Sequence, residues 1–203
     1  MDLVMGPHGR QQAAAGRAHA WRLVCLLAAL AMMPGTLGAD APTAARVDVT
    51  EGGGVYRVTA AFAVMETPED VMAVLTDYAR IPEFMPDVQS STVLERTAGG
   101  AVVEQVAVSK FMLFSKRVHL VLDVREDAGS LRFKDRCGRS FTTYDGAWIV
   151  SEHDSLTVVD YELTARPVFE VPAFVLKRLL KRDAAQLIDR LKTEITARAA
   201  RGR

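Results

Sequence analysis

From Val55 the side chains alternate. In VYRVTAAFAV, Tyr56, Val58, Ala60, Phe62 and Val64 share one face, the period of a half-buried strand. The period then changes. Thr67 is placed to cap a helix, Pro68 suits its first position, and Glu69 and Asp70 favour the positive end of the helix dipole. Val71, Val74, Leu75 and Tyr78 form the apolar stripe, and Pro82 sets the end of the helix by disfavouring helical geometry at Ile81. Six strand-like segments follow: STVLERT, AVVEQVAVSKF, KRVHLVLDVRE, SLRFKDRC, FTTYDGAWIV and SLTVVDYELTA. The third alternates strictly, with Val118, Leu120, Leu122 and Val124 against Arg117, His119, Val121 and Asp123. Gly99-Gly100, Gly138 and the polar stretch Glu152 to Asp154 supply turns, so the segments read as an antiparallel meander with one apolar face.

A last helix begins near Pro172. Phe174, Val175, Leu179, Leu180, Leu187, Ile188, Leu191 and Ile195 recur at three- and four-residue spacing, with Lys177, Arg178, Lys181 and Arg182 mostly between them. Roughly 24 residues give a rod of ~36 Å, long enough to cross a six- or seven-stranded sheet. The final ARAARGR is expected to fray.

Residues 1–39 break this pattern. Arg10, Arg17 and Arg22 precede the apolar run LVCLLAALAMM, then Pro34-Gly35 and the small residues of TLGA. That is the layout of a secretory signal peptide, with cleavage expected after Ala39. The run is short of the ~20 residues that a spanning helix needs. The chain is thus expected to be exported, to a periplasm. Asp40 to Gly54, with Pro42 and three consecutive glycines, reads as a flexible leader, and a single domain over 55–197 follows.

Export alters the reading of charge and cysteine. The whole chain balances 25 Lys and Arg against 25 Asp and Glu; losing three arginines and one aspartate leaves 22 against 24. No basic field argues for nucleic acid. Cys25 leaves with the signal, so Cys137 stands alone, no internal disulfide forms and the core must hold the fold.

The order strand, helix, short helix, six strands, long helix, together with FAVMETPEDVMAVLTDYARIPEFMPDVQSSTVLER and YDGAWIV followed by YELTARPVFEVPAFVLKRLL, resembles the START-like, helix-grip (SRPBCC) superfamily. Within it the chain looks most like the coenzyme Q-binding and polyketide cyclase/dehydrase group. The motif D-Y-x-x-x-P-x-F-x-P, here Asp77, Tyr78, Pro82, Phe84 and Pro86, carries much of the likeness. It implies an α+β fold in β-α-α-β6-α order, a curved antiparallel sheet of six to seven strands around the C-terminal helix, and an apolar cavity between them.

The resemblance also nominates cavity and lid residues. The two prolines would stiffen a loop at the mouth, with Tyr78, Ile81, Phe84 and Met85 as wall or lid; the alternative is that they only stop a helix while Phe84 plugs the core. In KFMLFSKR, Phe111 and Phe114 would cover the cavity or touch a membrane at a hairpin tip, or instead be buried strand ends meeting at a turn. Phe133, Tyr144, Trp148 and Tyr161 on strands and Phe174 on the last helix complete the set. Tyr and Trp bring polar handles for a carbonyl or hydroxyl in a greasy site, although a Trp on a strand facing a helix is as readily core.

The sequence offers little for catalysis. It has no nucleophile elbow, no Gly-rich phosphate loop after a strand, no H-E-x-x-H and no cofactor motif. His119 and His153 lack Cys or carboxylate neighbours at metal spacing. Asp135, Glu162 and Arg166 are the charged groups near the aromatic strands, and each is also readable as a rim charge. Three functions stay open. The first is an exported protein binding a lipid, isoprenoid quinone or other apolar molecule. The second is a polyketide cyclase or dehydratase, against which export weighs, and the third is an interaction module whose cavity is filled by its own side chains.

Overall fold

The computed structural model describes residues 45–111 and 114–202. The expected signal segment lies outside them. The described chain is α+β. Strands β1 (Arg46–Gly52) and β2 (Val55–Val64) lead into helix α1 (Pro68–Leu75), a 3-10 turn (Tyr78–Arg80) and the short helix α2 (Ile81–Phe84). Then come β3 (Val88–Thr97), β4 (Gly100–Phe111), β5 (Phe114–Asp127), β6 (Ser130–Asp135), β7 (Phe141–His153), β8 (Leu156–Pro167) and helix α3 (Ala173–Gly202). All strands join one antiparallel sheet in the order β1-β2-β8-β7-β6-β5-β4-β3. α1 and α2 therefore carry the chain from one side of the sheet to its far edge.

The sheet has eight strands rather than six or seven, because the segment expected to be a loose leader contains β1. Val47 and Val49 alternate with polar residues, and Val49 is buried. Gly53 and Gly54 both take positive φ, 60° and 77°, as the tight turn of a two-residue hairpin requires. The Glu51 carboxylate accepts the Gly54 N–H at 3.0 Å. What reads as looseness in three glycines is hairpin geometry.

Helix α1 begins as its sequence indicates. The Asp70 N–H donates to Thr67 Oγ1 and the Thr67 N–H to Asp70 Oδ2, each at 3.2 Å, a reciprocal capping box. Its end differs from expectation. It stops at Leu75, where Thr76 donates its hydroxyl to the Met72 carbonyl at 2.8 Å. Pro82 ends nothing: Ile81 is helical (φ −50°, ψ −43°) and Pro82 sits in the first turn of α2, where a missing N–H costs no hydrogen bond.

α3 also outruns its predicted length, continuing as helix through 197–202 rather than fraying as expected. Ala199 is buried, and Arg198 donates to Asp77 and Glu194, both at 2.7 Å. Those ties order the last turns.

The predicted buried parities hold. Tyr56, Val58, Ala60, Phe62 and Val64 are inside, as are Leu120, Leu122 and Val124 of β5, and Ile188, Leu191 and Ile195 of α3 face them. α3 packs on β1, β2 and α1, at one side of the sheet. A helix is ~10 Å across and eight strands ~4.8 Å apart span about 34 Å. One helix cannot cover that width.

Candidate functional site

The uncovered width is a cavity of about 380 Å³. Its floor is the apolar parity of β4 to β8, including Val103, Leu122, Phe133 and Leu163; one wall is α3 through Leu176, Leu180 and Leu187. The other wall is the proline segment. Tyr78, Ile81, Phe84 and Met85 all line the cavity, and Tyr78 and Met85 are buried. Among the described residues no side chain fills the space, which favours a ligand site over a stuffed interaction module.

The proline segment is pinned at several points. The Tyr78 hydroxyl donates to Glu126 Oε1 at 2.6 Å, and Glu126 in turn holds Arg96 at 2.8 Å. Asp77 is paired with Arg198, whose guanidinium stands 5.8 Å from the Phe84 ring centroid. The Val108 N–H donates to the Asp87 carbonyl at 2.8 Å. Lid and core plug are thus one object, a wall held by the end of α3 and by β4 and β5.

Phe133, Tyr144, Trp148 and Tyr161 also line the cavity. Their rings interlock. Trp148 and Tyr161 lie 4.3 Å apart, while Tyr144 packs 4.9 Å from Phe141 and 6.0 Å from Phe133. Phe133 is possible there because its cross-strand partner is Gly146: a Cβ at Gly146 would lie 2.6 Å from the Phe133 ring and 2.2 Å from the Glu162 carbonyl oxygen. Phe174 is a correction. It is 77% exposed and lines no part of the cavity, because it projects from the first turn of α3, away from the sheet. The side chains of Phe111 and Phe114 lie outside the described residues; their backbones pair across the β4–β5 end.

Burial governs the tyrosines. It pushes Tyr144 up to about 12, with Asp135 and Asp183 adding to the rise. Tyr161 rises well above the ordinary tyrosine value, first from burial and then from its neighbour Tyr144. Tyr78 is raised by burial and by its bond to Glu126, with Arg96 opposing. All three stay neutral at any physiological pH.

The polar rim was not read from the sequence. Ser109 donates its hydroxyl to Asp183 Oδ2 at 2.6 Å, bridging β4 to α3, and Gln105 donates to Ser91 at 3.2 Å. The Lys116 ammonium stands 4.6 Å from the Phe169 ring centroid. Asp183 left a signal: it sits four residues after Leu179 and four before Leu187, a carboxylate on the apolar stripe of a helix.

No His, Cys or Glu is among the described residues that line the cavity. Asp135 accepts backbone N–H groups of Val121, Cys137 and Gly138, so it holds a turn. Glu162 is exposed, and exposed Arg166 donates to the Gly53 carbonyl at 3.1 Å. His119 has its Nε2 2.8 Å from Glu104 and its Nδ1 3.8 Å from the half-buried thiol of Cys137, neighbours that sequence spacing concealed. Among the described residues no cluster of three or more His, Cys, Asp or Glu is placed to hold a metal, and no helix is long and apolar enough to cross a membrane.

Residues 66–192 match the model of the family described as polyketide cyclase / dehydrase and lipid transport. The chain belongs to this family. Solved structures show the same fold. A START superfamily protein from Mycobacterium smegmatis matches at TM-score 0.60 and 14% identity over 70% of this chain and 97% of that one. A STAR-related lipid transfer protein from Xanthomonas axonopodis matches at 0.56 and 14% over 74% and 98%. The Zhui aromatase/cyclase from Streptomyces sp. R1128 matches at 0.63 and 13% over 71% and 96%. None of the curated protein sequences compared matches the chain.

Proposed function

We propose that this family member is an exported binding protein that holds a lipid, isoprenoid quinone or other apolar molecule between its sheet and α3. The observation that carries the reading is the unfilled apolar cavity of about 380 Å³, within the ~300–1,000 Å³ of small-molecule sites. The lipid-transport description of the family supports it, as does the fold shared with a lipid transfer protein. Burying ~300 Å² of apolar ligand contributes roughly 7 kcal/mol, against association costs of at least ~4. Apolar burial alone therefore gives modest affinity, suited to release as much as to capture.

Export rests on the signal-like layout of residues 1–39. Cell fractionation and N-terminal sequencing of the mature protein test it, and an intact Met1 in the cytoplasm would refute it. Ligand binding is tested by native mass spectrometry of residues 40–203, followed by organic extraction. A stoichiometric apolar adduct is expected. An apo mass after gentle purification, together with no uptake of added lipid, would refute the reading. Transient membrane contact through the 110–117 segment belongs to the same proposal: replacing Phe111 and Phe114 by Ser should abolish liposome binding and leave the fold intact.

The cyclase/dehydrase half of the family description and the aromatase/cyclase fold match favour a second reading, in which a reactive chain folds inside the cavity. Product formation from a short poly-ketone analogue would establish it.

A further inference from the structure

The aromatic wall of the cavity carries polar atoms that no described residue bonds. The hydroxyl of Tyr78 is committed to Glu126. Those of Tyr144 and Tyr161 differ: both residues line the cavity, and neither hydroxyl makes a hydrogen bond with any described residue. The indole N–H of Trp148, beside Tyr161, is in the same position. These atoms are not sealed in packing: the buried side-chain atom without a partner among the described residues is Arg198 Nη2, so the hydroxyls and the indole N–H stay accessible to a small molecule. Tyr144 is half-buried among core residues, and the surface it retains faces the lumen.

We propose that Tyr144 and Tyr161 form a donor subsite that receives a neutral acceptor oxygen, of ketone, ester or quinone type, on an otherwise apolar ligand. The inference rests on the apolar-ligand reading and names the chemistry of the ligand's polar end.

Two further observations support it. The rings are fixed before any ligand arrives, Tyr161 by Trp148 at 4.3 Å and Tyr144 by Phe141 at 4.9 Å, so their hydroxyls are pre-organised. Both phenols are held neutral by burial, and a neutral phenol donates. Charge around the cavity is mixed, with Asp183, Lys116 and Arg190 all in its lining.

The test compares wild type with Tyr144→Phe, Tyr161→Phe and the double variant, using 2-undecanone and undecane as matched probes. Each variant keeps the ring and removes only the oxygen. The double variant should bind 2-undecanone about tenfold more weakly than wild type, a neutral hydrogen bond's worth, with undecane binding unchanged. The infrared C=O stretch of the bound ketone should lie lower in wild type than in the double variant. Without ligand the melting temperature should hold or rise, since no protein hydrogen bond is lost.

The outcomes separate the two ideas. Equal loss of both probes, or no loss of either, overturns the donor subsite and leaves the apolar cavity standing. A fall in the melting temperature of the unliganded variants also overturns it, because the hydroxyls would then serve the fold. If wild type takes up neither probe, nor any extracted lipid, the binding reading itself fails and the subsite with it.

Discussion

Gly146 is the position where the cavity wall depends on a missing side chain. It sits on β7 between Tyr144 and Trp148, opposite Phe133 of β6. A methyl group there would lie 2.2 Å from the Glu162 carbonyl oxygen and 2.6 Å from the Phe133 ring, where about 3.4 Å is an ordinary contact. The backbone has little freedom to give way, since Gly146 and its neighbours pair with β8 from Phe141 to His153. Phe133 can move, but only into the cavity. Overpacking of this kind costs ~1–3 kcal/mol, and with one obstacle being main chain Gly146→Ala should reach about 3 kcal/mol. For a domain of ~160 residues that lowers the melting temperature by roughly 6–12 °C. Thermal denaturation followed by circular dichroism measures it. Combining Gly146→Ala with Phe133→Leu should cost at least ~1 kcal/mol less than the sum of the single changes, because one of the two clashes is shared. A melting temperature within a degree of wild type for Gly146→Ala would refute the account of how Phe133 reaches the lumen.

Three other predictions follow from the same geometry. All four tyrosines, Tyr56, Tyr78, Tyr144 and Tyr161, have raised values. Their stabilising contribution is therefore complete below pH ~10, where the unfolded chain begins to ionise, and is lost above it, for Tyr144 by up to ~1.4 kcal/mol per pH unit until about 12. Tyrosinate absorbance from Tyr78, Tyr144 and Tyr161 should rise only together with unfolding, and a rise near pH 10 in the folded protein amounting to more than one tyrosine would contradict this. Arg198→Ala, which leaves Asp77 only the more distant Arg80 at 3.7 Å and frees the Phe84 face, should cost ~1–2 kcal/mol and raise amide exchange across 76–86; unchanged exchange there would show that the segment is held elsewhere. Phe174→Ser should change stability by less than ~0.5 kcal/mol and leave probe uptake intact, and a loss of binding would return Phe174 to the site.

Much of the fold was legible because period and parity are local properties. The strict alternation of β5 and the Thr67-Pro68-Glu69-Asp70 start of α1 each name their own structure. What misled was context. Three glycines after Val49 look like slack until β2 is known to return along β1, and Pro82 looks like a stop until Thr76 is seen to close α1 earlier. The tail after Ile195 looks frayed because Arg198 finds Asp77 121 residues away in sequence, a pairing no window reveals.

The cavity belongs to a third class, since it is a deficit rather than an element. Eight strands at ~4.8 Å spacing present an apolar face about 34 Å wide, and among the described residues a single long helix ~10 Å across is the only long cover. α1, α2 and the proline segment are too short to close the remainder; they reach one rim and stop. The apolar parities of β4 to β6, with Val103, Leu120, Leu122 and Phe133, therefore exceed what the helices can bury, and such a surplus must be met by a partner, a copy of the chain or a ligand. The surplus lines the cavity rather than an outer face, which favours a ligand. Aromatic rings with idle hydroxyls at that surplus are then what a neutral carbonyl-bearing ligand requires, and this is why the tyrosine pair, rather than a charge, is the place to test.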